Sequence, residues 1–339
     1  MKIGIIGTRG IPNNYGGFEQ VTEHLSAGLL AKGHEVSVYN SHNHPYQENH
    51  WNGVEIIHCF DAEYMIGTAG QFIYDLNCIV DARKRNFDVL LFMGYTSSSI
   101  WHRFFPRNTV IVSNMDGLEW RRSKYSRPVK RFLKYAEKLA VLQSDFMIVD
   151  SSEIQDYYKN KYNCLPEYIP YGASLCREEK KAIFTQYNIE PEKYFLLMAR
   201  MEPENNIEMI LDGFQKSSSI HSFLVIGNTE NTYGRYIAKK FSRDPRIIFL
   251  GSLFDQDAVH TLRKYSRLYF HGHSVGGTNP SLLEAMASRV MIADNNNLFN
   301  RDILKDDAYY FSDVNDVTIL IEQSVSLHDE SCIQNNYQK

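Results

Sequence analysis

Short apolar runs alternate with amphipathic stretches along most of the chain. In the first half, runs of strand length lie at residues 2–7, 35–40, 54–58, 89–93, 110–114 and 146–150. Between them, apolar residues recur at helical spacing after Gly16-Gly17 and near residues 71–85, 97–105, 128–143 and 153–162. Apolar strands separated by helices predict a parallel sheet that is covered on both faces.

The same alternation begins again in the second half. It predicts strands at 194–199, 223–227, 247–250, 268–270 and 290–293, and helices at 207–216, 233–241, 258–265 and 281–288. We therefore expect an α/β protein with two doubly wound, Rossmann-like domains. They would comprise an N-terminal domain over 1–170, a linker over 171–185, a C-terminal domain over 186–313, and a helix and tail over 314–339. The polar tail from His328 is expected to be mobile. Ligands of such sheets bind outside the carboxyl ends of the strands, so two domains facing across a cleft would each provide one wall of a site.

A glycine-rich turn joins the strand at 268–270 to the helix that follows it. Gly276 and Gly277 allow close approach of a ligand, and Pro280 fits the first helical position with Asn279 as its cap. The helix start would then present free N–H groups to a phosphate, with Glu284 within reach of sugar or ribose hydroxyls. Alternatively, the residue after Pro280 caps the helix and Glu284 closes a capping box for structural reasons alone. The two interpretations assign different helix registers.

The composition is that of a soluble globular enzyme, with 43% hydrophobic and 22% charged residues in a chain of 339. No apolar run reaches the length of a membrane-spanning helix, and Met1 leads into a strand without a signal-peptide pattern. We therefore expect a cytoplasmic protein. The five cysteines are scattered and include no Cys-x-x-Cys pair, which indicates neither a disulfide framework nor a zinc site.

Basic residues concentrate on one predicted helix, although the net charge of the chain is −4. In the helix at 128–143, an apolar stripe predicts the core side and leaves Lys130, Arg131, Lys134 and Lys138 on the other side. This basic side is either an ordinary solvated face or a patch for anionic lipid or phosphate. Nucleic acid is not an expected partner, because the chain as a whole is acidic and has no recognition motif.

Three further segments near strand ends bear on the identity of the ligand. The first argues against NAD, and the other two contain candidate ligand-binding groups. Residues 4–10 have the wrong spacing for a dinucleotide fingerprint, and Asn40 stands where NAD would require a carboxylate, so a dehydrogenase is disfavoured. Gly16 and Gly17 open a helix, which either suits a phosphate or substrate or is an ordinary tight turn. Arg200 follows a strand and either clamps a diphosphate through its paired donors or makes a surface ion pair.

These motifs together resemble a known family. The chain resembles the retaining two-domain GT-B glycosyltransferases of family four in Gly16-Gly17-Phe-Glu19, Arg200-Met-Glu-Pro-Glu204 and Asn279-Pro-Ser-Leu-Leu-Glu284-Ala-Met. It is similar to the rhamnosyltransferases of bacterial surface-polysaccharide assembly in Gly7-Thr-Arg-Gly-Ile-Pro12, Asp116-Gly-Leu-Glu-Trp120, Pro203-Glu-Asn-Asn206 and residues 271–280. The resemblance covers nearly the whole chain.

The resemblance implies a role for each candidate site residue. Arg200 would hold the diphosphate and Glu284 the nucleotide ribose, while Gly16 and Gly17 would contact a phosphate or the acceptor. Negative charge grows on the departing diphosphate, and Arg200 and the helix start at Asn279 would supply the donors that stabilise it. The nucleotide is expected to be dTDP or UDP.

Two positions depart from the family pattern. Gly276 stands where many members have a glutamate that contacts donor-sugar hydroxyls, and Asn205 stands where a lysine often assists the arginine. Either backbone donors at Gly277 and Thr278 hold the donor, or the chain has lost activity. We expect Asn205, Gly276 and Ser281 to contact the substrate as well.

The implied reaction transfers a sugar, L-rhamnose from dTDP-rhamnose by the closest resemblance, to a hydroxyl of a lipid-diphosphate-linked saccharide. In the family the departing phosphate takes the acceptor proton, so no side-chain base is required. Asp116 follows the strand at 110–114 and would orient a hydroxyl, with Glu119 as a second candidate. The structural alternative for Asp116 is an Asx-turn. No cofactor is implied. No metal is implied either, because the Asp255-Gln-Asp257 pair lies at a helix start, where acids cap the helix.

Two other functions remain open from the sequence. A sugar-nucleotide epimerase of the same fold would convert a donor without an acceptor. A non-catalytic sugar-nucleotide-binding subunit would explain the departures at Gly276 and Asn205. For the glycosyltransferase, the expected location is the cytoplasm, at the inner face of the membrane if the basic helix binds anionic lipid.

Overall fold

A computed structural model describes residues 1–14, 16–115, 117–121, 125–176, 178–275, 279–324 and 326–339. The chain divides into two compact units, Met1–Pro170 and Tyr171–Lys339. Within the described residues, no helix combines the length and apolar composition that crossing a bilayer requires.

The first unit is built on one sheet, in the order β3-β4-β2-β1-β5-β6-β7-β8. Its strands are β1 (Lys2–Ile6), β2 (Glu35–Ser41), β3 (His50–Trp51), β4 (Val54–Cys59), β5 (Val89–Met93), β6 (Val110–Asn114), β7 (Phe146–Val149) and β8 (Glu167–Tyr168). The short β3 pairs antiparallel with β4, and the other neighbours pair in parallel. Its helices are α1 (Gly17–Ala31), α2 (Glu63–Ile66), α3 (Gly70–Ala82), α4 (Arg127–Gln143) and α5 (Ser152–Tyr162).

Helices cover both faces of this sheet because its central strands are apolar on both sides. Ile5 lies in one core cluster with Val38, and its neighbour Ile6 lies in another with Tyr39 and Phe92. Successive side chains of a strand point to opposite faces, so adjacent apolar residues require two cores.

The second unit repeats this architecture with the order β11-β10-β9-β12-β13-β14, all pairs being parallel. Its strands are β9 (Tyr194–Met198), β10 (Ser222–Ile226), β11 (Ile247–Gly251), β12 (Leu268–His271), β13 (Ile292–Asn295) and β14 (Tyr309–Phe311). Its helices are α6 (Ala182–Gln186), α7 (Ile207–Lys216), α8 (Thr232–Phe241), α9 (Gln256–Lys264), α10 (Pro280–Ala287), α11 (Leu298–Leu304), α12 (Val314–Glu322) and α13 (Glu330–Gln338).

Several elements differ from the prediction. The helix expected at 97–105 is a 3-10 helix, Ser99–Phe104, and the short elements β3, α6, α11 and β14 were not predicted. The prediction of a mobile tail was wrong: α13 is capped by the Asp329 carboxylate, which accepts from the N–H groups of Ser331 and Cys332. Ile333 of α13 is buried in a core of the second unit, which anchors the helix.

Candidate functional site

The carboxyl edge of the second sheet brings two predicted motifs together. The strand order runs outward in both directions from β9 and β12, and a ligand crevice forms where the order of a doubly wound sheet reverses. Arg200 follows β9, and residues 272–275 follow β12. The Arg200 side chain is exposed at this edge.

Asn205 fastens these two segments to each other. Its Nδ2 donates to the backbone oxygen of Arg200 at 2.7 Å, and its Oδ1 lies 2.8 Å from Nδ1 of His273. Because Oδ1 is an acceptor, Nδ1 of His273 carries the proton in this contact. The next residue, Asn206, donates through Nδ2 to the backbone oxygen of Gly272 at 2.8 Å. Buried Asn205 therefore positions the Arg200 backbone, a role that its comparison with a family lysine did not suggest.

Gly272 is required by this close contact. A Cβ added at Gly272 would lie 2.0 Å from the backbone oxygen of Asn205, so Gly272→Ala must push the two segments apart. We expect this variant to lose about 2 kcal/mol of unfolding free energy and to bind nucleotide more weakly. Gly28→Ala is the matched control. Gly28 lies within α1 with open space around its Cβ position, so alanine there should stabilise the helix by about 0.5–1 kcal/mol. Urea unfolding and nucleotide titration test both variants, and equal effects would contradict the role of Gly272.

The start of α10 resolves the register left open by the sequence. Asn279 is the N-cap, its Oδ1 accepts from the N–H of Ser281 at 2.9 Å, and Pro280 occupies the first turn. The capping-box alternative is therefore wrong. The expectation of free N–H groups is also corrected for Ser281 and Leu282, since the N–H of Leu282 donates to the Asn279 backbone oxygen at 2.9 Å. Asn279 accepts from both of these N–H groups, and Pro280 adds no free donor because its ring nitrogen carries no hydrogen.

Glu284 belongs to a network around a buried arginine that the sequence analysis missed. Nη2 of Arg263 lies 2.6 Å from Oε2 of Glu284, 3.1 Å from Oγ of Ser281 and 3.2 Å from Sδ of Met198. The Tyr269 hydroxyl also lies 2.9 Å from Oγ of Ser281. The side chain of Arg263 is 1% exposed and that of Glu284 13% exposed. Burial lowers the pKa of Arg263, and the nearby Glu284 carboxylate raises it. The net effect is a pKa of Arg263 above its ordinary value.

This network also places Glu284 near the Arg200 segment. Met198, which contacts Arg263, precedes Arg200 by two residues at the end of β9. Arg263 therefore links the predicted ribose-binding carboxylate to the strand that ends before the predicted diphosphate-binding arginine.

Two buried ionisable groups lie at adjacent strand ends of the same edge. His271 and Asp294 are register partners on β12 and β13, and burial raises the pKa of Asp294 well above its ordinary value. Burial, followed by the charges of His273 and Arg263, holds the pKa of His271 well below its usual range. Burial therefore disfavours the charged form of both groups. Asn300 donates through Nδ2 to Oδ1 of Asp294 at 2.7 Å and to the backbone oxygen of His273 at 3.0 Å, which ties β13 to the turn.

In the first unit, Gly16 and Gly17 lie at the start of α1 beside the turn that follows β1. Gly17 is the exposed first residue of α1, and Gly16 is its cap without a side-chain hydrogen bond. Glu19 accepts from the backbone N–H of Arg9 at 2.9 Å and so holds the turn against the helix. Asn40 accepts from the N–H of Ile11 through Oδ1 and donates to its oxygen through Nδ2. Asn40 thus has a structural role where NAD would require a carboxylate.

Four of the predicted site residues lie outside the described residues: Asp116, Gly276, Gly277 and Thr278. Glu119 is half-buried and begins a 3-10 helix, Glu119–Arg121.

Next to Glu119, the indole of Trp120 is fixed by a buried carboxylate on α4. Trp120 Nε1 donates to Oε2 of Glu137 at 2.9 Å. Oε1 of Glu137 accepts from Tyr157, Lys161 and Tyr162, each at 2.7 Å. The Glu119 segment is therefore anchored to α4 and α5.

Asp255 serves a structural role. Its carboxylate caps α9 by accepting from the N–H of Ala258, and it forms an ion pair with Lys180 at 2.5 Å. This favours the capping interpretation of the Asp-x-Asp pair.

Comparison with known proteins gives two family matches. Residues 1–174 match the model described as Domain of unknown function (DUF1972), and residues 179–337 match Glycosyl transferases group 1. No curated protein matches the chain in sequence.

Solved structures share the fold of the whole chain. Sucrose-phosphate synthase from Thermosynechococcus elongatus has a TM-score of 0.81 at 14% identity, covering 99% of this chain and 93% of that one. Anabaena HepE in complex with UDP-glucose has a TM-score of 0.77 at 13% identity, with coverages of 99% and 93%. The lipopolysaccharide outer core galactosyltransferase WaaB, in its apo form, has a TM-score of 0.64 at 13% identity, with coverages of 100% and 95%. At such identities the likeness concerns the fold, and the predicted GT-B fold is confirmed.

Proposed function

Since the chain belongs to the DUF1972 family and is a GT-B glycosyltransferase, we propose that it transfers L-rhamnose from dTDP-rhamnose to a lipid-linked saccharide. The acceptor is a saccharide on a lipid diphosphate, and the product serves cell-surface polysaccharide synthesis. The proposal of rhamnose rests on the segments at 7–12, 116–120, 203–206 and 271–280, which resemble rhamnosyltransferases.

The observation that carries the proposal is the assembly at the carboxyl edge of β9 and β12. Asn205 holds the Arg200 backbone against the turn after β12, and Arg263 holds Glu284 beside Met198. In this proposal Arg200 binds the diphosphate and Glu284 binds the hydroxyl of the nucleotide sugar ring. A nucleotide-sugar donor is further supported by HepE, which shares the fold and was solved with UDP-glucose.

The departures at Gly276 and Asn205 are compatible with activity in this arrangement. Asn205 organises the Arg200 segment instead of adding a charge, and the guanidinium of Arg200 can bind two phosphate oxygens on its own. Backbone N–H groups of Gly277 and Thr278 are proposed to complete the diphosphate site. The cap of α10 adds the positive end of the helix dipole.

The proposed reaction retains the anomeric configuration and uses no metal. The bond between the anomeric carbon and the diphosphate oxygen breaks, a bond from the acceptor oxygen to that carbon forms, and the acceptor proton passes to the departing diphosphate. The residues supply position and charge: Arg200 stabilises the developing negative charge, while Asp116 and Glu119 orient hydroxyl groups. The basic face of α4 is proposed to lie against the anionic inner surface of the membrane, where a lipid-linked acceptor resides.

Donor turnover with and without acceptor tests this function. The purified chain is incubated with dTDP-rhamnose, UDP-glucose or GDP-mannose, with and without a lipid-diphosphate-linked saccharide. We expect transfer only with acceptor, fastest with dTDP-rhamnose, and a larger thermal shift with dTDP than with UDP, GDP or NAD. Conversion of the donor without acceptor would instead identify an epimerase, and binding without turnover would identify a sugar-nucleotide-binding subunit. Faster transfer from another donor would contradict the assignment of rhamnose while leaving the reaction class intact.

A further inference from the structure

An exposed apolar segment lies between β4 and α3 in the first unit. Tyr64, Met65 and Ile66 are 64%, 65% and 53% exposed, and the following residues 67–69 are exposed as well. We call residues 64–69 the α2 tip. Three consecutive large apolar side chains are rarely left on a protein surface. Where such a contiguous patch is exposed, it typically marks a contact with a protein or a membrane.

Contacts with neighbouring segments of the first unit hold the α2 tip in place. Nε and Nη2 of Arg9 donate to the two carboxylate oxygens of Glu63 at 2.9 and 2.7 Å, which ties the start of α2 to the turn after β1. Gly70 packs so tightly that an added Cβ would lie 2.2 Å from the backbone nitrogen of Glu63. The ring of His42 lies 5.8 Å from that of Tyr64. The tip therefore needs little further ordering before it binds a partner.

The helix that follows the α2 tip, α3, contacts α4, and α4 carries the exposed cations of this region. The ring of Phe72 on α3 lies 5.6 Å from that of Phe132 on α4, and Phe132 is itself exposed. The outer face of α4 carries Arg127, Arg131, Lys134 and Lys138, all exposed, with the exposed apolar residues Tyr135 and Leu142 among them. An apolar projection beside a cationic face matches a bilayer that contains anionic lipid.

We propose that the α2 tip inserts into the acyl region of an anionic membrane while the outer face of α4 binds its headgroups. The proposal rests on the proposed function in one respect, that the acceptor is membrane-bound. The two components differ in their response to salt. Headgroup attraction is screened by salt, whereas burial of Met65 and Ile66 in the acyl region is not.

Vesicle binding by the full chain separates these components. With vesicles of phosphatidylcholine and phosphatidylglycerol, Met65→Ser with Ile66→Ser should bind about a hundredfold more weakly than the unaltered chain, at about tenfold per buried side chain. This double variant should lose the binding that persists at high salt. Arg131→Gln with Lys138→Gln should instead lose the preference for phosphatidylglycerol. The matched control is Ile220→Ser with Leu298→Ser, which alters two even more exposed apolar residues of the second unit and should bind normally.

A second readout locates the inserting residue. Tyr64→Trp should show a blue-shifted emission that is quenched by lipids with brominated chains, whereas the unaltered chain should show much less quenching. Undiminished vesicle binding by the serine variant, or an unquenched Trp at this position, would overturn the proposal. Loss of a dimer in the serine variant, with vesicle binding unchanged, would identify a second copy of the chain as the partner and would also overturn it. No donor is present in these assays, so their outcome is independent of the rhamnose assignment.

Discussion

Arg263→Met is expected to cost about 3 kcal/mol of unfolding free energy and to weaken nucleotide binding about tenfold. The side chain is 1% exposed, and its Nη2 contacts Glu284, Ser281 and Met198. Methionine removes the charge that balances the Glu284 carboxylate and the donor that orients it. Without that donor the Glu284 carboxylate would turn toward solvent, where it would bind the sugar hydroxyl less well.

A specific comparison separates positioning of Glu284 from general destabilisation. Binding is measured for dTDP and for its analogue without the sugar hydroxyl. In the unaltered chain the missing hydroxyl should cost about tenfold in affinity, and in Arg263→Met this difference should nearly vanish. Arg263→Lys retains a charge and should recover part of the difference. Glu284→Gln combined with Arg263→Met should be less unstable than Arg263→Met alone, because no unpaired carboxylate remains. If dTDP and its analogue are affected equally in Arg263→Met, Arg263 has only a structural role.

The sequence predicted the layers of the fold well because its strands are apolar along their whole length. Runs such as 2–7 and 194–199 have no competing interpretation once helical stretches separate them, and β1 and β9 lie within these bounds. Shorter elements escaped prediction for a physical reason. α6 and α11 have five and seven residues, too few for a repeating apolar pattern to stand out from a polar loop.

The candidate site was less predictable because its contacts join distant parts of the chain. Asn205 and His273 are 68 residues apart, so no local pattern indicates that Asn205 holds the turn after β12. Arg263 did leave a signal. It follows Val259 by four residues and Leu262 by one, and therefore falls on the apolar stripe of α9, where a cation must be paired. The register of α10 was ambiguous in sequence and was decided by the cap at Asn279.

Arg200→Ala is expected to lower kcat by about 100- to 1000-fold, or about 3–4 kcal/mol of transition-state stabilisation. The side chain of Arg200 is exposed at the carboxyl edge of the sheet, while Asn205 fixes its backbone oxygen at 2.7 Å. The charge on the departing diphosphate is larger in the transition state than in the bound donor, so the loss should appear mainly in kcat and less in KM.

Two variants define what Arg200 contributes. Arg200→Lys keeps the charge but loses the paired, planar donors, and should recover only part of the activity. Arg243→Ala is the matched control: Arg243 is also exposed, but it lies between α8 and β11, at the amino edge of the sheet, and should have normal activity. Unfolding free energies of all three variants should match that of the unaltered chain, since both arginines are exposed. An Arg200→Ala variant as active as Arg243→Ala would show that the departing charge is stabilised elsewhere. A rise in KM with kcat unchanged would show that Arg200 binds the donor equally in the ground state and the transition state.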